Sequence, residues 1–364
     1  MLRKAAVTAL VAACSSSPAP PPPAPVTPAP PAPPPLLDDA RRWVAGDLHM
    51  HVGPIDAADG AMDVSRLAAL AVAAGVEFVI ATPHLHPPTW RDPARQRRWL
   101  RQWQHTAAVA RAATGVTIIP GAEYTVHGYG HFGVSGVDPT ALAGDDFLAA
   151  AHAAGATVIV NHPFAEPTHI PGVAISDYDL SFRPWTDGRG EVPPLDGVEA
   201  YNLPLALANL VAQPGGATGE ARALAAADAL ARARHQPVAV VGGTDSHRAF
   251  TTATTWVLVA AVTEDAITAA LQAGATCIGG PEAGDLIAHG DGDPVARWAR
   301  IGERVRAAST VELRWAGRAR LFVDGADVGE HDGGYVDHHA AGTHTYRLVR
   351  GRSRCGFVYA NLTG

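Results

Sequence analysis

Charged residues are scarce in this sequence. Asp, Glu, Lys and Arg make up 17% of the 364 residues, and the formal net charge is −7. The chain therefore lacks the basic surface that binds nucleic acid or anionic membranes broadly, although a local phosphate pocket stays open. Hydrophobic residues make up 47%, which is enough for a buried core. We expect a globular protein with a small-molecule substrate as its partner, and these numbers leave its oligomeric state open.

Several sequence motifs of common enzyme classes are also missing. The chain has no Gly-x-Ser-x-Gly, no Walker phosphate loop and no Gly-x-Gly-x-x-Gly after its first predicted strand. Serine hydrolase, nucleoside triphosphatase and dinucleotide-binding functions therefore lack support. Beyond the N-terminus, no apolar run is long and charge-free enough to predict a membrane-spanning helix.

The N-terminus has the layout of an export signal. The stretch 1-MLRKAAVTALVAAC-14 has a basic start and a short apolar run, and Val11–Cys14 resembles a bacterial lipobox. We expect a lipoprotein signal peptide over 1–14 and a proline-rich linker over 15–40, with a plain cleaved signal peptide as the alternative. The protein would then be exported and lipid-anchored at the bacterial cell envelope, touching the membrane only through this anchor. The other two cysteines, Cys277 and Cys355, are too far apart in the sequence to predict whether they pair.

From residue 43 to about 280, short β-rich runs alternate with alanine-rich helical runs. This alternation predicts an α/β fold with a parallel sheet, and the number of repeats favours a closed or nearly closed barrel over 41–280. After residue 281 the helical runs disappear and short β-like pieces follow, with Asp324-Gly325 as a hairpin signal. We expect a small, all-β, sandwich-like domain over 281–364.

Residues able to bind metal lie at the ends of the predicted strands of the first region. They are His49, His51, His84, Glu123, His131, His162, Asp245 and His247. Each alone is ordinary, since alternate residues of any strand share a face. In a barrel of parallel strands, however, these ends converge on one face. Imidazole and carboxylate without cysteine suit zinc, manganese or iron, and eight donors are too many for one ion, so we expect two or three divalent ions.

The ordered set 47-DLHMH-51, 82-TPH-84, 121-GAEYT-125, 130-GHF-132, 161-NHP-163 and 243-GTDSH-247 resembles the PHP (polymerase and histidinol phosphatase) family of metal-dependent hydrolases. Gly-x-Glu followed by Gly-His-Phe, together with the C-terminal β region, is most similar to the CehA/McbA-like branch. The resemblance implies a distorted (β/α)7 barrel with a two- or three-metal site.

The resemblance also implies roles for single residues. His49, His51, Glu123 and Asp245 would hold a first ion, Glu123, His131 and His162 a second, and His84 and His247 a third together with an acid. That acid is Asp59 by local pattern, but Asp56 competes because the segment 52–60 is longer than usual. Pro83 stands where most relatives have Asp, which weakens the third site. We expect Asp47 to orient an imidazole rather than bind metal.

The resemblance implies a metal-dependent hydrolase, foremost a phosphoesterase, in which a metal-bridging hydroxide attacks the substrate. Asp245 and Glu123 would be catalytic, and Arg248 would pair with an anionic group of the substrate or form a surface salt bridge. His86 and His127 would contact substrate or lie in a solvated loop. The alternatives are a carbamate or ester hydrolase of the same fold and a non-catalytic, metal-stabilised surface binding protein.

Overall fold

The structure is a computed structural model that describes residues 40–56, 62–165, 181–206, 219–247, 251–252, 254–292, 297–338 and 341–362. The helices include α1 (Val64–Ala73), α2 (Pro87–Arg91), α3 (Pro93–Arg111), α4 (Phe147–Ala153), α5 (Arg183–Thr186), α6 (Gly219–Arg234) and α7 (Glu264–Gln272). Within these residues no helix is both long and apolar enough to cross a membrane.

The strands of the first region lie between residues 42 and 278. They are β1 (Arg42–Met50), β2 (Phe78–Ala81), β3 (His84–Leu85), β4 (Thr117–Val126), β5 (Gly130–Ser135), β6 (Thr157–Asn161), β7 (Gly197–Asn202), β8 (Ala239–Gly243), β9 (Thr255–Val259) and β10 (Thr276–Ile278). Asp63 caps the N-terminus of α1, because its side chain accepts a hydrogen bond from the Ser65 backbone N–H. The fold is α/β, as predicted.

The sheet is mixed rather than wholly parallel. β1 pairs in parallel with β2, β2 with β4, β6 with β7 and β7 with β8. β5 is antiparallel to both β4 and β6, and β9 is antiparallel to both β1 and β10. β4 and β5 are antiparallel because the connection from Val126 to Gly130 is short. It allows a hairpin but not the long crossover that a parallel pair needs.

The strands close on themselves where β8 meets β9 and β10. Gly242 N–H donates to Thr255 Oγ1 (2.7 Å), and Thr254 Oγ1 donates to Gly242 O (2.9 Å). Further along β8, Val240 N–H donates to Thr276 Oγ1 (3.0 Å). Threonine side chains thus take the place of a backbone ladder at this seam, so the strand ends form a ring.

The C-terminal β region consists of β11 (Ile287–Gly290), β12 (Ala299–Arg300), β13 (Arg304–Ala307), β14 (Val311–Val323), β15 (Ala326–Asp337), β16 (Gly342–Arg350), β17 (Ser353–Cys355) and β18 (Val358–Leu362). The predicted hairpin is confirmed: Asp324 and Gly325 join β14 to β15, with φ of 52° and 79°. These values match a turn that needs positive φ at both central residues.

Two features join the C-terminal β region to the first region. β17 pairs with β10, and a disulfide links Cys277 to Cys355 across that pair. Tyr359 Oη also accepts a hydrogen bond from Val238 N–H at the start of β8 (2.8 Å). The disulfide could not be predicted from the sequence, because only the fold brings the two cysteines into register. The predicted boundary at residue 281 stays a prediction.

Helix α3 packs its tryptophans against the strands beneath it. Trp99 and Trp103 are buried. Trp99 Nε1 donates to His84 O (2.9 Å), and Trp103 Nε1 donates to Gly121 O (3.1 Å). A buried indole N–H needs such an acceptor. Here one acceptor belongs to His84, a predicted metal ligand, and the other to Gly121, two residues before the predicted ligand Glu123. Helix α3 is therefore part of the support for the strand ends.

Candidate metal centre

The structure brings all eight predicted donor residues together. Nitrogen and carboxylate oxygen atoms form four groups, and within each group these atoms lie within 4.8 Å of one another. The groups are His51, His84 and His247; His49, His51 and Glu123; His49, His162 and Asp245; and Glu123, His131 and His162. The strand ends thus converge as the sequence predicts. The assignment of each residue as a ligand stays a prediction.

Glu123 lies at the middle of the cluster and is fully enclosed. Its Oε1 atom is 3.1 Å from His49 Nε2, 3.3 Å from His131 Nδ1 and 3.6 Å from His162 Nε2. Its Oε2 atom is 3.0 Å from His84 Nδ1. One carboxylate therefore faces imidazoles on several sides, as a residue shared by two ions must.

Asp245 lies beside the first histidine pair. Its Oδ1 atom is 3.2 Å from His51 Nε2 and 3.4 Å from His49 Nε2. The segments that follow β6 and β8 are unusual, because His162 and Asp245 there have positive φ, 30° and 48°. Such backbone is uncommon outside glycine and needs support from the surrounding structure.

Two pairs of imidazole nitrogens face each other in the cluster. His49 Nε2 and His51 Nε2 are 3.3 Å apart, and His84 Nε2 and His247 Nε2 are also 3.3 Å apart. The Nδ1 atom of His49 faces a Glu199 carboxylate oxygen (3.1 Å), and that of His51 faces an Asp56 oxygen (3.2 Å).

In His49 and His51 both ring nitrogens lie near a carboxylate oxygen, so a bound cation would fix the tautomers. With a cation at Nε2, a neutral imidazole carries its hydrogen on Nδ1, where His49 and His51 have an acceptor. The same holds for His84 and His247, whose Nδ1 atoms face Glu123 Oε2 (3.0 Å) and the Asp245 carbonyl (3.3 Å). Each pair therefore directs two lone pairs at one point, an arrangement that a bound cation satisfies.

Among the described residues, the cluster is most exposed at His84 and His247. The side chains of His49, His51 and Glu123 are at most 2% exposed, whereas those of Asp245, His84 and His247 are 18%, 21% and 34% exposed. Solvent therefore contacts the cluster on the His84–His247 side. His86 and His127 stack with a ring-centroid distance of 5.3 Å, and His86 stacks with His84 at 5.6 Å. They continue the row of imidazoles outward.

Asp56 is buried and supports two candidate ligands from behind. Besides its contact with His51 Nδ1, its carboxylate accepts the His84 backbone N–H (3.1 Å). Within the described residues it belongs to none of the four donor groups. Its rival, Asp59, lies outside the described residues, as does Arg248.

Asp47 contacts His49 through the backbone rather than through the ring, because Asp47 Oδ1 accepts the His49 N–H (3.3 Å). Within the described residues, the hydrogen bonds of the Asp47 carboxylate include no imidazole nitrogen. It accepts from Thr244 N–H (3.0 Å), Thr244 Oγ1 (2.6 Å) and Thr251 Oγ1 (2.9 Å). It thereby holds the residue that precedes Asp245. Met50 packs among buried apolar residues outside the site.

Three buried polar residues of the site were missed by sequence reasoning. Asn161 Nδ2 donates to Glu123 Oε1 (3.0 Å), and Glu199 and Asn202 contact ligands from the side of β7. Asn161 belongs to the motif 161-NHP-163, in which only His162 was predicted to bind metal. The available signal in 197-GVEAYN-202 was a glutamate between apolar residues of a predicted buried strand.

Burial and the neighbouring carboxylates act in opposite directions on the histidines. Burial lowers the pKa of His51, but hydrogen bonds with Asp245 and Asp56 outweigh it and raise that pKa to about 9. Burial likewise lowers the pKa of His49, yet the charge of Asp245 and of nearby glutamates holds it well above its ordinary value. Protons and divalent cations therefore compete for these nitrogen atoms.

The carboxylates show the complementary effect. Burial raises the pKa of Glu123, but the charges of His131 and His49 outweigh it and hold that pKa well below its usual range. Burial also raises the pKa of Asp245, and His49 and His51 again reverse the effect. Both carboxylates are therefore ionised at neutral pH and available as ligands. With nitrogen and oxygen donors and no sulfur, the site fits zinc, manganese or iron.

Comparisons with known proteins give distant likenesses. No protein-family model and no curated protein matches the sequence. The structure is similar to the crystal structure of a two-domain protein containing predicted PHP-like metal-dependent phosphoesterase from Bacteroides vulgatus ATCC 8482. The TM-score is 0.44 at 15% identity, over 87% of this chain and 96% of that one. It is also similar to the lesion-specific endonuclease PfuEndoQ from Pyrococcus furiosus, with a TM-score of 0.33 at 14% identity, over 68% and 62%. Likenesses this distant leave the functional case to the geometry of the site.

Proposed function

We propose that this chain is a metal-dependent hydrolase with a distorted (β/α)7 barrel of the PHP type, in the CehA/McbA-like branch, and that phosphoesters are its substrates. The observation that carries the proposal is the pair of facing Nε2 atoms in His49–His51 and His84–His247, each at 3.3 Å. Lone pairs directed at one another inside a buried, carboxylate-rich cluster are stable only around cations or protons. The order of the motifs along the chain supports the same family.

The residues would divide the work as follows. His49, His51 and Asp245 surround one position, Glu123, His131 and His162 a second, and His84 with His247 a third, two or three of which divalent ions would occupy. Bound ions of this kind lower the pKa of water and neutralise developing negative charge. The protein itself keeps the Glu123 and Asp245 carboxylates ionised, encloses the inner side of the cluster and would admit substrate past His84 and His247. Arg248 would pair with an anionic substrate group.

A substrate screen tests this proposal. Purified protein would be assayed with Mn²⁺ or Zn²⁺ on phosphomonoesters, phosphodiesters and aryl carbamates. Turnover of a phosphoester, abolished in Asp245→Asn without loss of the fold, supports the proposal. Turnover of carbamates or esters alone favours the alternative hydrolase, and no turnover of any phosphoester rejects the phosphoesterase.

Elemental analysis separates both hydrolases from a non-catalytic binding protein. Protein purified without added metal is expected to retain at least one tightly bound ion per chain. Less than one ion counts against the multinuclear site. Retained metal with no turnover of any tested substrate, and a melting temperature that falls sharply in Asp245→Asn, favours a structural role for the ions.

We also propose that the protein is exported and anchored at the cell envelope through Cys14. The Cys277–Cys355 disulfide supports this location, because disulfides persist in oxidising compartments and are rare in the cytosol. Replacing Cys14 with Ser should move the protein from the membrane fraction to the soluble fraction. A wild-type protein found in the soluble cytosolic fraction would reject the proposal.

A further inference from the structure

Strand β7 supplies none of the eight predicted ligands, yet it carries two buried polar residues directed at the centre. Glu199 and Asn202 are 3% and 6% exposed. β7 lies between β6, which ends beside His162, and β8, which ends beside Asp245. A charged residue is almost never buried this deeply without partners, so its contacts indicate its role.

Glu199 contacts two candidate ligands with its two oxygens. Oε1 is 3.1 Å from His49 Nδ1, and Oε2 accepts the His162 backbone N–H (2.8 Å). Asn202 Nδ2 donates to Glu199 Oε2 (3.3 Å) and to Asp245 Oδ2 (3.1 Å). We call this pair of residues the Glu199–Asn202 clamp.

The contacts of the clamp leave the ligand atoms free. His49 is held at Nδ1 while Nε2 faces the centre, and Asp245 is held at Oδ2 while Oδ1 faces His51. His162 is held at its backbone, where φ is 30°, while its ring Nε2 faces Glu123. His49, His162 and Asp245 form one of the four donor groups, so a single clamp reaches every member of that group.

The packing leaves room for this carboxylate at a glycine. A Cβ atom added at Gly243 would lie 2.5 Å from Glu199 Oε1 and 2.3 Å from His49 Cβ. Glycine at this position therefore allows β8 to approach the Glu199–His49 contact closely.

We propose that Glu199 and Asn202 are positioning residues that hold His49, His162 and Asp245 in the geometry of one ion of the centre. This inference rests on the proposed function, because it requires that the cluster bind divalent cations. Residues that orient metal ligands through hydrogen bonds typically contribute 10–100-fold to metal affinity or activity.

The Glu199→Gln substitution tests the clamp with little change in size. Two N–H groups, those of His49 Nδ1 and of the His162 backbone, need an acceptor here, and glutamine offers only one oxygen. One of them then faces an NH₂ group. The full chain, stripped of metal, would be titrated with Mn²⁺ by calorimetry, and bound metal would be counted by elemental analysis.

The expected result is selective. One equivalent of Mn²⁺ should bind roughly 10–100-fold more weakly than in wild type, while the remaining equivalents change by less than about twofold. Turnover should fall at low Mn²⁺ and return at saturating Mn²⁺, with the substrate KM nearly unchanged. A merely structural role for Glu199 would not produce rescue by metal. Asn202→Ala, which keeps the Glu199 contacts, should show the same pattern with a smaller loss.

Asp228→Asn is the matched control. Asp228 is buried, interacts with Thr345 and Arg232, and has no hydrogen bond to any of the eight donors. Its replacement should leave Mn²⁺ affinity unchanged, and an equal weakening there would overturn the inference. If Asn202→Ala and a folded Glu199→Gln both bind Mn²⁺ as tightly as wild type, the positioning role of Glu199 and Asn202 is rejected, but the proposed function is not. If Glu199→Gln does not fold, the Mn²⁺ affinity of Asn202→Ala alone tests the positioning role. A wild-type chain that binds no ion would overturn the proposed function as well.

Discussion

Two groups of histidine and carboxylate side chains in this chain differ in how well hydrogen-bond donors and acceptors are matched. In the C-terminal β region, His344 Nδ1 lies 2.7 Å from Asp324 Oδ2, and the Thr345 N–H donates to Asp324 Oδ1 (3.0 Å). In the candidate metal centre, His49 and His51 direct Nε2 atoms at each other. The first group pairs donors with acceptors, whereas the second leaves acceptors in excess.

The difference shows why histidine content alone does not identify a metal site. A structural group is complete when each N–H has an acceptor and each acceptor has a donor. In the candidate metal centre, acceptors lie behind the Nδ1 atoms of His49 and His51, so a cation at the two Nε2 atoms would leave each N–H with an acceptor. The candidate metal centre therefore needs an added positive charge, whereas the group of His344 and Asp324 does not.

The largest expected effect comes from Glu123→Gln. Glu123 faces His49, His84 and His131 within 3.3 Å, and the substitution removes its charge while keeping its size. Turnover should fall on the order of 10²–10³-fold or more, because the ions and the charge they stabilise lose a shared ligand. Steady-state kinetics with Mn²⁺ measures the fall. The matched Asp324→Asn variant should keep wild-type turnover, and equal losses in both would erase the distinction between the groups.

The next effect is a pH dependence of metal binding. His51 has a pKa raised to about 9, so below that pH a cation must displace its proton. Mn²⁺ affinity should fall as pH decreases, by about tenfold per unit for this proton, or roughly 100-fold between pH 9 and pH 7. Competition with a fluorescent chelator measures it. Affinity that is flat from pH 6 to 9 would mean that the cation displaces no proton from His51.

The metal-free protein should show the opposite trend in stability. The folded pKa of His51 lies above its ordinary value of 6.5. Its contribution to stability is therefore fully present below pH 6.5 and is lost as pH rises through about 9. Thermal unfolding of metal-stripped protein at pH 6 and pH 9 measures this difference.

Much of the candidate metal centre was predictable because its residues follow strands. Period-two alternation and the convergence of strand ends were enough to place donors such as His49, His84 and His247 on one face. The hairpin at Asp324-Gly325 was predictable because the turn type demands those residues. Such features can be predicted because each is determined by residues that are close together in the sequence.

The features that the sequence did not predict depend on contacts between segments that are distant in the sequence. Glu199 approaches His49 only when β7 and β1 come together, and Cys277 meets Cys355 only through the pairing of β10 with β17. The direction of β5 depends on the length of a turn rather than on apolar alternation. Sequence periodicity carries no information on such partners.

Metal removal should have a moderate effect on stability. A ligand that binds only the folded state at 100 times its Kd stabilises it by about 2.7 kcal/mol, or roughly 5–10 °C in a protein of this size. Calorimetry before and after chelation and dialysis measures the shift. The shift should be the same in Asp324→Asn and should nearly vanish in Glu123→Gln. A chelation shift that persists in Glu123→Gln would place the stabilising ion elsewhere.

The smallest effect is expected from Asp324→Asn in the C-terminal β region. Asparagine tolerates the positive φ of 52° at this turn, so the hairpin stays and only the charge facing His344 is lost. Unfolding by urea should show a loss of about 1 kcal/mol, the usual contribution of one hydrogen bond. Asp324→Ala should lose more, because alanine also removes the acceptor for Thr345 N–H. Neither variant should change Mn²⁺ affinity, since the pairing of His344 with Asp324 needs no cation. A tenfold change in that affinity would mean that the two groups are coupled through the fold.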